Sequence, residues 1–79
     1  MNRLLAGHIL NGASIRLKQY GDMYHVEVYV RKVLKVAYIH KNAAVAYARY
    51  AEAKTMLLNA VNDSIIDTVE LIKESILRD

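Results

Sequence analysis

The stretch Ser14 to Arg31, SIRLKQYGDMYHVEVYVR, constrains the fold more than any other part of the chain. Gly21-Asp22 separates two runs of alternating apolar and polar residues, and a glycine at the first position of a two-residue loop supplies the φ > 0 that a tight hairpin needs. A turn there pairs Leu17 with Val26 and Ile15 with Val28, so one face is apolar. The opposite face pairs Arg16 with Glu27 and Lys18 with His25, and adds Tyr29 and Arg31. A slip of one residue would move the whole apolar set into water, so the pattern specifies the register as well as the strands.

The next run, KVLKVAYIH from Lys32 to His40, is rich in β-branched and aromatic residues and reads as a third strand. A loop of Arg31, Lys32 and Val33 would align Leu34, Val36 and Tyr38 with Val30, Val28 and Val26, and set Lys35 beside Tyr29 on the polar face. A two-residue loop would bury the Lys35 ammonium without a partner, which is costly, so the longer loop is expected. Ala37 and Ile39 then fall on the outer face. Asn42 is placed to cap an alanine-rich helix, with Tyr47, Ala51, Leu58 and Val61 as its inward stripe and Tyr50 and Leu57 at the edges.

Ser64, followed three residues later by Asp67, resembles a capping box for a second helix, in which Ile65, Val69, Ile72 and Ile76 repeat at helical spacing. Ile66, Leu71 and Leu77 widen its apolar surface beyond one stripe, so either the helix sits deep against both the sheet and the first helix or these residues form a homodimer interface. Before the hairpin, Asn11-Gly12 either turns a strand or ends a short helix. The spacing of Leu4, Leu5, His8 and Ile9 favours the helix. With no proline and no repeat, residues 1–79 read as a single α+β domain. It comprises a three-stranded antiparallel β-meander (about 14–20, 23–31 and 33–40), two C-terminal helices (about 43–61 and 64–78) and a short N-terminal helix or strand.

At 79 residues a hydrophobic core is only marginally sufficient, and with no cysteine the chain has neither disulfides nor a thiolate zinc site to help. Oligomerisation is the remaining common helper. The absence of cysteine fits a cytoplasmic location. The start MNRLLAGHIL is too short and too interrupted for a secretory signal, and Arg49, Glu52 and Lys54 break the only stretch long enough to span a bilayer. The net charge of +3 is unevenly spread. Lys and Arg dominate from Arg3 to Lys54, whereas Asp63, Asp67, Glu70, Glu74 and Asp79 outnumber Lys73 and Arg78 at the C-terminal end. Such a division fits a polarised binding surface, and equally an uneven solvated one.

Catalytic chemistry finds no foothold. His8, His25 and His40 lack metal-ligand spacing, and in the expected register His25 and His40 point to opposite faces. No serine or threonine sits in a strained glycine-flanked turn, and Gly7, Gly12 and Gly21 form no phosphate-cradling loop. Asp67, Glu70 and Glu74 at helical spacing read as a solvated face. No catalytic residue, metal or cofactor is expected. Among six tyrosines, Tyr24, Tyr38, Tyr47 and Tyr50 fall on inward positions. Tyr29 stands on the outer face with Arg16, Lys18, His25, Arg31 and Lys35, and these six residues are the candidate binding set. Rigid amphipathic rings among cations suit protein and nucleic-acid interfaces alike.

The order of a short N-terminal element, three strands and an alanine-rich helix introduced by Lys41-Asn42-Ala43-Ala44 resembles a double-stranded-RNA-binding domain in topology. Lys41 stands alone where such domains carry a lysine cluster, so no binding residues are carried over. The YHVEVYVRK strand, the AAVAYARYAEA helix and the asymmetric charge resemble, as a class, small phage-encoded host-takeover and anti-defence inhibitors, anti-CRISPR proteins among them. That resemblance implies a non-enzymatic protein that occludes a surface of a host protein or protein–nucleic-acid complex. Two alternatives stand beside it: a nucleic-acid-binding module using the basic sheet face, and an oligomeric sponge for an anionic small ligand. Dedicated nucleic-acid binders are usually more basic than this chain, which places the inhibitor or adaptor first.

Overall fold

The computed structural model describes residues 2–10, 12–60 and 65–77. It is an α+β domain of four antiparallel strands followed by two helices: β1 (Asn2–Leu10), β2 (Ala13–Tyr20), β3 (Met23–Val30), β4 (Val33–His40), α1 (Ala43–Asn59) and α2 (Ile65–Ile76). The strands form a meander in the order β1-β2-β3-β4, and both helices lie on one face. The central hairpin has the register that its alternation dictates, with Leu17 opposite Val26, Ile15 opposite Val28, Arg16 opposite Glu27 and Lys18 opposite His25. Gly21 turns it at φ 62°, the left-handed value that glycine adopts without a Cβ penalty.

The N-terminal element, expected as a helix or a strand with the helix favoured, is a strand. Leu10 pairs with Ala13, so the loop between them has two residues, and its Gly12 sits at φ 78°. A bulge between Leu4 and Ala6 hides the alternation, because an extra residue shifts the period of two to the other face. The element order is thus four strands and then two helices, which departs from the order that suggested an RNA-binding domain.

The β3–β4 connection corrects a second expectation. The loop is the two-residue one, Arg31-Lys32, with both residues at positive φ (50° and 69°) as a tight, twist-compatible hairpin turn requires. Val30 faces Val33 and Tyr29 faces Leu34, yet Val28 still faces Val36 and Val26 still faces Tyr38. The difference is absorbed at Lys35, the extra residue of a bulge. The short loop therefore does not bury the ammonium. Lys35 is exposed and borders a hollow with Val30, Ile66, Val69 and Glu70 on the α2 side, away from the Tyr29 face where it was expected.

Asn42 caps α1 as expected, its side-chain oxygen accepting from the backbone N–H groups of Ala44 and Val45. His40 assists, its Nδ1 accepting from the Asn42 N–H at 2.9 Å. The buried side of α1 is Ala46, Tyr50, Ala53 and Leu57, one position round from the expected stripe. Tyr47 and Leu58 remain 46% and 45% exposed, and Ala51 is exposed. The alanines explain the rotation: with Ala46 and Ala53 at the contact the helix lies close over the sheet, and the bulkier Tyr47 and Leu58 are left on its flank. Val61 and Ser64 lie outside the described residues, as does the end of α2 expected at position 78.

On α2, Val69, Ile72 and Ile76 are buried and Ile65 packs against the core, as their spacing predicts. The two helices are tied together by the Ser75 hydroxyl, which donates to Glu52 Oε2, while Arg49 Nη1 meets Glu52 Oε1 at 3.3 Å. Ile15, Leu17, Val26, Val28, Ile72 and Ile76 are fully buried and form the centre of the core.

Candidate functional site

Helices cover one face of the sheet, and the other is open. The β2–β3 register brings four of the six candidate residues, Arg16, Lys18, His25 and Tyr29, onto that open face. At their centre is Glu27, which is only 6% exposed although no helix covers it. Its neighbours provide the cover. The Tyr29 hydroxyl donates to Glu27 Oε1 at 2.8 Å, the Lys18 ammonium meets the same oxygen at 3.1 Å, and His25 Nδ1 lies 3.6 Å from Oε2.

This cluster orders itself electrostatically. Burial by itself would raise the Glu27 pKa, but the hydrogen bonds from Tyr29 and Lys18 and the nearby charges of Lys18 and His25 outweigh it and hold the carboxyl below its usual range. The hydrogen bond to Glu27 raises the Lys18 pKa in turn, against the opposing effect of burial, and the same carboxylate raises that of Tyr29. The Arg16 guanidinium lies over the Tyr29 ring at 5.0 Å and the Lys18 ammonium is 5.9 Å from it. Tyr20 packs on His25 with ring centroids 4.3 Å apart. The result is a ridge of rigid rings and cations built round one ionised carboxylate. It offers recognition groups, and its one carboxylate is occupied in holding them.

Apolar residues flank the ridge on both sides. On β1, Leu4 and Ile9 are 60% and 83% exposed; on β4, Leu34 and Ile39 are 48% and 51% exposed, with exposed Ala37 between them. Between Leu4 and Ile9 lies Gly7, where a hollow of about 530 Å³ is walled also by Ser14, Arg16 and Lys18. Glycine in mid-strand weakens a sheet, and here neither a positive φ nor crowding demands it: a Cβ at Gly7 would meet only the Ile15 carbonyl oxygen, at an ordinary 3.6 Å. What glycine provides at this position is space above the strand.

Arg31 is not on the flat of the sheet. It stands in the β3–β4 turn and shares a groove with Ile9, Ser14, Arg16 and Lys32 at the adjoining corner, so it extends the site from its end. Lys35 is separated from the site by its bulge. From sequence, Glu27 is only a cross-strand partner and Gly7 only a glycine outside any phosphate loop. The missing signal for Gly7 is the assignment of residues 2–10 to a strand.

Among the described residues, no group of three or more His, Cys, Asp or Glu could hold a metal ion, and no helix is long and apolar enough to cross a membrane. Comparison of the chain with family models, curated proteins and solved structures gave no match.

Proposed function

We propose that this chain is a non-enzymatic, cytoplasmic protein-binding inhibitor or adaptor that docks through its open sheet face and acts by covering a surface of its partner. The occluding activity of the small phage-encoded inhibitors it resembles in kind is the form of action such a face suits. One observation carries the reading: the charged ridge is internally neutralised at its centre and bordered by exposed apolar side chains. Lys18 and His25 are turned to Glu27, which leaves Arg16 and the turn residues Arg31 and Lys32 as the outward cations. Leu4, Ile9, Leu34 and Ile39 give a nucleic-acid backbone nothing to hold, whereas a protein surface buries them. The complementary partner surface presents an apolar side chain to the hollow over Gly7 and a carboxylate to Arg16 and Arg31.

The test is an affinity capture from host lysate with wild-type protein, Gly7→Leu and Arg16→Glu side by side, with and without nuclease. Gly7→Leu fills the hollow without removing a charge. The expected result is a protein retained after nuclease by the wild type and lost by both variants. Nuclease-sensitive capture that survives Gly7→Leu, falls steeply with salt and is lost with Arg16→Glu would overturn the reading in favour of nucleic acid.

A further inference from the structure

The exposed apolar residues of α2 and its final turn do not share one face. At 3.6 residues per turn, Ile66, Glu70, Lys73 and Leu77 form one narrow row, while Leu71 lies about a third of a turn away. Ile66 and Leu77 are 65% and 43% exposed, and Glu70 and Lys73 are exposed between them. The Leu77 N–H donates to the Lys73 carbonyl at 3.1 Å, which carries the helical geometry through the end of the row. The row runs along the flank turned away from α1, since the opposite side of α2 carries the Ser75 hydroxyl bonded to Glu52.

Along the helix the row is apolar, acidic, basic, apolar. That order is self-complementary under a two-fold axis. From it we infer that the chain forms a homodimer in which the α2 helices of two copies pack antiparallel along this row, with the axis between Leu71 and Ile72. Ile66 of one copy then meets Leu77 of the other at each end of the contact, and Glu70 meets Lys73 twice across the middle. Charge complementarity is what selects a second copy as the occupant. On this flank Glu70 and Glu74 stand beside Lys35 and Lys73, with Arg31 bordering the Ile66 end, so charges of both signs face a second copy. The crest of α2 would instead set Asp67, Glu70 and Glu74 against themselves. The interface is narrower than the set Ile66, Leu71 and Leu77 expected from sequence, because Leu71 falls outside it. It also leaves the open sheet face free, so it stands or falls independently of the proposed function.

Sedimentation equilibrium from micromolar to about millimolar protein tests the inference with the wild type, Glu70→Lys, Lys73→Glu, their equimolar mixture and the double variant. The wild type is expected at twice the chain mass. Each single variant sets like charges across the axis and weakens the dimer by at least about tenfold. Mixing the two single variants restores a dimer, because one chain then carries lysine at both central positions of the row and the other carries glutamate at both. The double variant, with the two charges exchanged, self-associates again. Recovery on mixing requires both chains to be folded, so it separates lost contact from lost structure. A wild-type monomer throughout the range, a dimer indifferent to the single substitutions, or single variants that stay apart when mixed would each overturn the inference.

Discussion

The two faces of one sheet are held by different physics. On the covered face, Ile15, Leu17, Val26, Val28 and Val36 alternate inward and are 2% exposed or less beneath α1 and α2. On the open face the same strands bury one large polar side chain, Glu27, under a lid of Tyr29, Lys18 and His25. The covered face is stabilised by removal of apolar area from water, which carries no charge to titrate or to be screened. The open face depends on an ionised carboxylate and its donors, so it responds to both pH and salt. The contrast teaches that order on the open face has been built up without a second layer, by polar groups that arrange one another, while its large apolar side chains are left at the margins.

The largest effect separates the two faces directly. Leu17→Ala is expected to lower unfolding stability by about 2–5 kcal/mol in denaturant titration, while Ile39→Thr on the open face changes it by about 0.5 kcal/mol or less. Equal losses at the two positions would mean that the open face is covered in solution.

An intermediate effect concerns Glu27. Replacing it with Gln is expected to cost about 1–2 kcal/mol near neutral pH, since Lys18 loses its counter-charge and Tyr29 a charged acceptor. The pH dependence has a defined sign. The Glu27 pKa is lowered in the folded state, so its contribution is present above the ordinary carboxylate value and fades as pH falls through the depressed one. The Lys18 pKa is raised, so its contribution is present below the ordinary lysine value and fades as pH rises through the elevated one. Chemical denaturation across the pH range should therefore show an acid-side loss that is diminished in Glu27→Gln. An unchanged acid limb would place the source of acid sensitivity elsewhere.

The smallest effect is at Gly7. Gly7→Ala is expected to raise stability by about 0.5–1 kcal/mol, because the backbone there has no need of glycine and a Cβ meets nothing closer than 3.6 Å. A loss of stability would mean that glycine serves the fold at this position, which would remove the argument that it keeps space open for a partner.

Legibility differs from element to element for identifiable reasons. The central hairpin and α2 can be read directly because their apolar residues recur at one clean period on large side chains. β1 cannot, because the bulge at Leu4 to Ala6 breaks its alternation and the remaining Leu and Ile spacing imitates a helix. In α1 so many positions are alanine that the pattern names a helix without naming its buried side. The β3–β4 turn carries no Gly or Asn to announce positive φ, and the assumption of an unbroken strand excludes the loop that the protein uses. Of the site, the sharing of one face by Arg16, Lys18, His25, Glu27 and Tyr29 follows from the hairpin register alone, but not the partners: Glu27 takes Lys18, His25 and Tyr29 while Arg16, opposite it, lies over the Tyr29 ring. Gly7, Leu4 and Ile9 join the site only once β1 is seen to be a neighbouring strand.

By itself the sequence determined what is periodic and local: the β2–β3 register, the Asn42 cap, the inward stripe of α2 and the division into apolar and charged sheet faces. Each of these follows from side-chain alternation or from hydrogen bonds between residues close in sequence. The tertiary structure alone decided the placement of β1 at the edge of the sheet, the buried side of α1 and the exit of Lys35 through a bulge. Those outcomes depend on how closely distant segments can pack and on whether one added residue costs less than one buried charge, comparisons that local sequence does not contain.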